Sequence, residues 1–73
     1  AYHNLGRVRA QQGDLKQATK YFREAVRLQP DSVPAHESLA MALAEQGNKE
    51  EAIKHHHMAL RLQSSQAKNA ASR

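Results

Sequence analysis

Three consecutive histidines, His55, His56 and His57, are the residues of this sequence whose type most directly suggests chemistry. Imidazole nitrogens bind zinc and similar ions, but the ligands must converge on one metal. On a helix, adjacent side chains point about 100° apart, whereas positions i and i+4 share a face. Neighbouring histidines therefore cannot converge on a single ion, and we predict no metal site and no cofactor.

Groups for acid–base or nucleophilic catalysis are not brought together by any motif either. A catalytic site needs titratable groups that converge in a pocket. Asp14 and Asp31 stand where helix caps are expected, and Glu50 and Glu51 stand at a helix start, where negative charge suits the helix dipole. The three glycines are isolated and form no phosphate-binding loop. We therefore predict that the chain is not an enzyme.

Composition sets further bounds on the function. The 73 residues include 11 Lys or Arg and 7 Asp or Glu, giving a formal charge of +4, and no Cys. Because the basic residues are scattered, we interpret them as a solvated surface and do not expect a nucleic-acid partner. No apolar run is long enough to span a bilayer. The chain starts at Ala1, so we expect a piece of a longer protein; the compartment is not indicated, with the cytoplasm slightly favoured.

The sequence repeats itself at an offset of 34 residues. Residues 1–29 and 35–63 share eleven identities, and several mismatches keep the chemical type. Each copy reads as two helices, because apolar residues recur at helical spacing on both sides of Gly13 and Gly47. These glycines predict tight turns between antiparallel helices, and Pro30 closes the first copy. We predict helices at about residues 2–12, 15–28, 33–46 and 49–63.

The period and its small residues resemble the tetratricopeptide repeat family. The first copy matches that family's pattern with Tyr2, Leu5, Gly6, Ala18, Phe22, Ala25 and Pro30. The second copy offers His36, Leu39, Ala40, Leu43, Ala52, His56, Ala59 and Ser64. The departures are Arg9, His36, His56 and Ser64, which weaken packing locally without changing the period.

The resemblance implies an all-α fold, in which two helix-turn-helix repeats stack as a short right-handed α-solenoid. We assign the first repeat to residues 1–32, the second to residues 33–66, and a polar tail to residues 67–73. The tail continues the preceding helix, starts a capping helix or frays. Small residues such as Gly6 and Ala40 recur at the same phase, and we expect them to let helix axes approach closely.

The resemblance also implies a function, which is a protein-interaction scaffold. In this family the first helices line a concave groove that holds a peptide or a partner helix. By position, the groove residues here are His3, Asn4, Arg7, Gln11, Pro34, Glu37, Ser38, Met41 and Glu45. Asn4 can bond a peptide backbone through its amide, and Arg7 can hold a carboxylate with its planar fork. The alternative is a structural spacer or self-association module whose groove is unused.

One subclass of the family clamps the acidic C-terminal tails of heat-shock chaperones with Lys and Asn at fixed positions. This chain carries His3, Arg7 and Ser38 at the corresponding positions and has no third copy. We therefore do not expect a chaperone clamp.

The end of the second repeat is expected to stay uncovered, since repeat proteins gain stability from neighbouring copies. By phase, His56 replaces Phe22 and faces inward, with His55 and His57 directed toward solvent. We expect part of the open surface to pair two chains about a two-fold axis, weakened when His56 is protonated. The residues of this surface are Ala52, His56, Ala59 and Leu60.

Overall fold

The structure is a computed structural model that describes the backbone of residues 2–71 and the side chains of residues 2–65. It consists of four helices, which are α1 (Tyr2–Gln11), α2 (Leu15–Leu28), α3 (Val33–Glu45) and α4 (Lys49–Ala71). Residues 2–71 contain no β-strand. The predicted all-α fold of two stacked helix-turn-helix units is confirmed.

The two hairpin turns form where glycine permits a backbone that other residues rarely adopt. Gly13 has φ of 81° and Gly47 has φ of 86°, both in the left-handed region. Directly after the first turn, the Asp14 carboxylate accepts a hydrogen bond of 3.3 Å from the amide of Gln17. This bond satisfies one of the free amides at the start of α2 and fixes where the helix begins.

Helices that are consecutive along the chain pack against each other. Within the repeats α1 packs on α2 and α3 on α4, while α2 and α3 form the main contact between repeats. The core lies at this contact, where the Leu39 and Leu43 side chains of α3 are fully buried against Ala18 and Phe22 of α2. The result is a short right-handed solenoid segment whose first helices, α1 and α3, lie on one side.

The last helix is longer than predicted, ending at Ala71 instead of near residue 63. In the first repeat, Pro30 removes an amide and disfavours helix just before it. Ser64 stands at the equivalent position, and residues 64–71 contain neither Gly nor Pro, so nothing stops α4 there. The first part of the polar tail therefore continues α4, and residues 72–73 lie outside the described residues. The repeat boundaries at residues 32 and 66 stay predictions.

Candidate functional site

A cleft of about 260 Å³ opens between α1 and α3, on the side where the first helices of the two repeats lie. Its apolar lining comes from all of the first three helices: Ala10, Leu15, Phe22 and Ala42. Its other lining residues are Arg7, Gln11, Ser38, Met41 and Glu45. The cleft thus combines an apolar floor with a cation on one helix and a carboxylate on the other, which suits an amphipathic ligand.

Five of the groove residues predicted from the sequence line this cleft, and four do not. The five are Arg7, Gln11, Ser38, Met41 and Glu45. His3 lies beside it, where its Nε2 is 2.8 Å from Ser38 Oγ and its ring centroid is 5.7 Å from that of Phe22. This contact ties α1 to α3 and uses polar groups that we had assigned to ligand binding. Asn4 and Pro34 are exposed outside the cleft, and Glu37 lines a different depression.

The apolar floor was not predicted as part of the site. Ala10 and Phe22 have the helical phase of core residues, and the sequence analysis assigned Phe22 only to packing. The structure shows that the Phe22 ring serves both roles, because it fills the core and also reaches the bottom of the cleft. Helical phase gives no signal that separates such a residue from the rest of the core.

A second depression, of about 420 Å³, lies at the open end of the second repeat. It is lined by Glu37, Ala40, Met41, Ala44, Ala52, Ile53 and His56. The expectation that His56 packs inward is wrong: its side chain is exposed, because no helix among residues 2–71 lies over this face. The expected partial exposure of Ala52 and Ala59 is also wrong, since both are buried, whereas Leu60 is exposed.

His55 was expected to point toward solvent, but it is half-buried against His36. The Nδ1 atoms of the two rings are 3.2 Å apart, and the His36 Nε2 lies 2.9 Å from the carbonyl oxygen of Pro30. Since a carbonyl only accepts, Nε2 of His36 carries a hydrogen and its Nδ1 accepts one from His55. In the first repeat, Tyr2 and Tyr21 stack at the same positions. The structure therefore replaces an aromatic pair by a hydrogen-bonded histidine pair.

Charged neighbours surround the outer edge of this pair. The His55 Nε2 is 3.8 Å from Glu51 Oε2, and Glu51 accepts a hydrogen bond of 2.5 Å from Arg23 of the first repeat. Burial lowers the pKa of His55, the nearby His36 lowers it further, and the Glu51 carboxylate opposes both effects. Arg23 and Lys54 add smaller repulsions. The balance keeps the His55 ring neutral in the folded chain at higher acidity than a free imidazole.

Comparison with known proteins decides the family. The profile described as tetratricopeptide repeat matches residues 3–67. The chain belongs to the tetratricopeptide repeat family. Among solved structures, the crystal structure of MamA is similar, with a TM-score of 0.87 and 27% sequence identity. That similarity covers 92% of this chain but only 39% of the MamA chain. No curated protein matches the sequence at the significance required.

Membership in the tetratricopeptide repeat family bears on the function at a coarse level. Repeats of this family generally mediate protein–protein interactions, and they typically act as non-catalytic scaffolds. None of the helices described between residues 2 and 71 is long and apolar enough to cross a membrane.

The histidine pair makes the stability of this tetratricopeptide repeat chain depend on acidity. The folded-state pKa of His55 lies below its ordinary value of 6.5, so the unfolded chain binds the proton more readily. The free energy of unfolding is therefore highest above pH 6.5 and is expected to fall as the pH drops from there through the folded-state pKa. Urea unfolding followed by circular dichroism at pH 8.0 and 5.5, above the range of the carboxylates, measures the loss.

The matched variants are His55→Gln and His57→Gln, because the second histidine is exposed on the same helix. We expect His55→Gln to reduce the difference between the two pH values and His57→Gln to leave it unchanged. An equal effect of the two variants would show that burial beside His36 is not the cause.

Proposed function

We propose that the chain is a non-catalytic scaffold that binds a peptide or a partner helix in the cleft between α1 and α3. The observation that supports this is the apolar floor around Phe22, open to solvent between two polar helix faces. A cleft of about 260 Å³ is at the small end for a ligand site, so it suits one or two side chains of a larger ligand.

The charges of the cleft indicate which peptide fits. Arg7 lies on α1, and its guanidinium can donate two parallel hydrogen bonds to a carboxylate. Glu45 lies on α3 and can accept from a lysine or arginine. Met41, whose side chain is exposed, is flexible and polarisable, and adapts to apolar side chains of different shape. The preferred ligand therefore carries an apolar side chain flanked by an acidic residue and a basic residue.

The test is selection from a displayed library of random peptides, followed by affinity measurements with variants. Arg7→Ala combined with Met41→Ala is expected to weaken selected peptides about tenfold or more, as loss of central contacts does in other interfaces. The matched control is Lys20→Ala combined with Met58→Ala, which removes one cation and one exposed methionine from the second helices.

Each outcome decides the proposal. Peptides that lose affinity with the cleft variant and keep it with the control variant support the groove. Selected peptides that bind both variants equally would place the binding surface elsewhere, and failure to select any peptide would contradict the proposal in the same way.

A second function, self-association, is favoured by a separate observation. Apolar side chains are exposed at both ends of the stack, with Leu5 and Val8 on α1 and Ile53 and Leu60 on α4. A chain that acts as a spacer or self-association module would need these ends and not the cleft. Arg7→Ala alone, which leaves Met41 of the open-end depression in place, would then not change the assembly, while substitutions at the ends would change it.

A further inference from the structure

The contact between the two repeats is built from projecting residues on α3 and a seat on the first repeat. Leu39 and Ala42 project from α3 and are 1% and 4% exposed. The seat consists of Ala18 and Phe22, which are buried with them in one cluster, and Val26, which packs at its edge. Leu39 and the smaller Ala42 therefore enter a surface formed by Ala18, the Phe22 ring and Val26, as dense packing requires.

The outer face of α1 carries the same projecting pattern with nothing packed on it among the described residues. At the 34-residue offset, Leu5 corresponds to Leu39 and Val8 to Ala42. These two side chains are 47% and 49% exposed. These two half-exposed apolar side chains correspond to the α3 half of the internal repeat contact, where the equivalent side chains are buried against α2.

The open end of the second repeat carries the matching seat. Its residues correspond to those of the internal seat, with Ala52 for Ala18, His56 for Phe22 and Leu60 for Val26. Ala52 and His56 line the depression of about 420 Å³ together with Ala40 and Ala44. Leu60 lies one helical turn after His56 on α4 and is exposed. The one large change is His56, which gives this seat an imidazole where the internal seat has a phenyl ring.

We propose that a second copy of this chain docks its α1 face, through Leu5 and Val8, into the seat formed by Ala52, His56 and Leu60. The two half-interfaces lie at opposite ends of the stack, so they meet only between chains. Their pairing would continue the internal repeat contact from one molecule to the next. Such a head-to-tail contact is heterologous and adds further copies in a row instead of closing a two-fold dimer.

Polar residues related by the same 34-residue offset support this alignment of the two docked copies. Within the chain, His3 of α1 bonds Ser38 of α3 across the repeat contact. Their counterparts are Glu37 at the open end and Asn4 on the outer helix of the next copy, both exposed. A carboxylate accepts from an amide, so this pair can replace the internal hydrogen bond. The internal Arg23–Glu51 ion pair has no charged counterpart, since its positions hold His57 and Gln17.

The test uses one variant at each end of the chain and a mixture of the two. Leu5→Glu and Leu60→Glu each place a carboxylate at a half-exposed position, so the fold tolerates it while the docked contact does not. Sedimentation velocity over about 10 μM to 1 mM, a range that detects weak pairs, is expected to show concentration-dependent growth for the original chain. Each variant alone is expected to stay monomeric.

The mixture separates head-to-tail docking from a two-fold dimer. A Leu5→Glu chain keeps its seat and a Leu60→Glu chain keeps its α1 face, so the mixture is expected to form pairs of one copy of each and nothing larger. If the seats instead pair about a two-fold axis, Leu5→Glu chains dimerise alone and the proposal is wrong. The matched control is Met58→Glu, an exposed methionine of α4 away from the seat, which should assemble like the original chain.

A variant that copies the internal seat is expected to strengthen association instead of weakening it. His56→Phe copies the residue of the first repeat and is expected to tighten association by about tenfold, because it returns an apolar ring to the contact. Circular dichroism confirms that each variant is folded, and Val8→Glu and Ile53→Glu replace any that is not. A chain that stays monomeric at about 1 mM, with and without His56→Phe, would overturn the proposal.

This inference develops the self-association alternative and does not depend on the cleft. The end variants leave Arg7 and Met41 in place, so peptide binding measured on them reports on the groove alone. Loss of assembly with intact peptide binding, or the reverse, therefore tests the two proposals separately.

Discussion

Replacing Phe22 by alanine is expected to lower the free energy of unfolding by about 3–5 kcal/mol, the usual cost of removing a buried aromatic ring. The ring is 3% exposed and lies where α2 meets α3, in the same cluster as Leu39 and Leu43. A domain of this size has about 5 kcal/mol of stability to lose. We therefore expect Phe22→Ala to be largely unfolded at room temperature, as judged by far-ultraviolet circular dichroism.

His56 is the internal control for this prediction, because it occupies the same repeat position and the same helical phase. Its side chain is exposed, so His56→Ala is expected to change the free energy of unfolding by less than about 0.5 kcal/mol. Comparable losses in both variants would mean that the second repeat has a cover that the structure does not show.

The fold could be predicted from the sequence because its signals are local. Gly13 and Gly47 stand at equal spacing, each followed by a capping residue, and their left-handed backbone leaves few other positions for the turns. The 34-residue period then indicates which helices pair, since α1 packs on α2 as α3 packs on α4. The α4 end was the exception, because its position depends on the absence of a stop signal, and Ser64 carries none.

The candidate site was only partly predictable, for a physical reason. Phase identifies the face of a helix, and Arg7, Gln11 and Met41 line the cleft on the predicted faces of α1 and α3. Phase does not tell which polar side chains bond each other, so the His3 contact with Ser38 was missed. It also does not tell what covers a face. The same phase is buried for Phe22 and exposed for His56, and only the neighbouring helix makes the difference.

For the histidine pair, the sequence did contain a usable signal. His55 lies at the phase of Tyr21, a partly buried residue, so the repeat alignment contained the signal that it is not a solvent residue. The sequence analysis instead considered the three histidines for metal binding and assigned the inward position to His56. The observed hydrogen bond joins His55 to His36, which lies nineteen residues earlier. At the equivalent positions, the first repeat stacks two tyrosines.

Gly6→Ala is expected to destabilise the chain, against the helix propensity of the new residue. In an open helix, glycine to alanine stabilises by about 1 kcal/mol. Here a Cβ at position 6 would lie 2.5 Å from Phe22 Cε1 and 2.6 Å from its Cδ1. The ring is buried and cannot turn away freely, so the overpacking cost of about 1–3 kcal/mol outweighs the propensity gain. We expect a net loss of up to about 2 kcal/mol in urea unfolding, the difference between these terms.

The second repeat shows why the conflict is specific to Phe22. Ala40 stands at the position equivalent to Gly6, and the residue at the position of the ring is the exposed His56. Alanine therefore fits there, and Ala40→Gly should cost about 1 kcal/mol or more, because it loses helix propensity and also a buried methyl group. A smaller side chain opposite Gly6 should relieve the clash, so Gly6→Ala is expected to cost less in a Phe22→Leu background. The two substitutions would then couple, as contacting residues do in a double-mutant cycle. Gain of stability on Gly6→Ala alone would show that the helices can separate without cost, and that close approach at Gly6 does not hold the first repeat together.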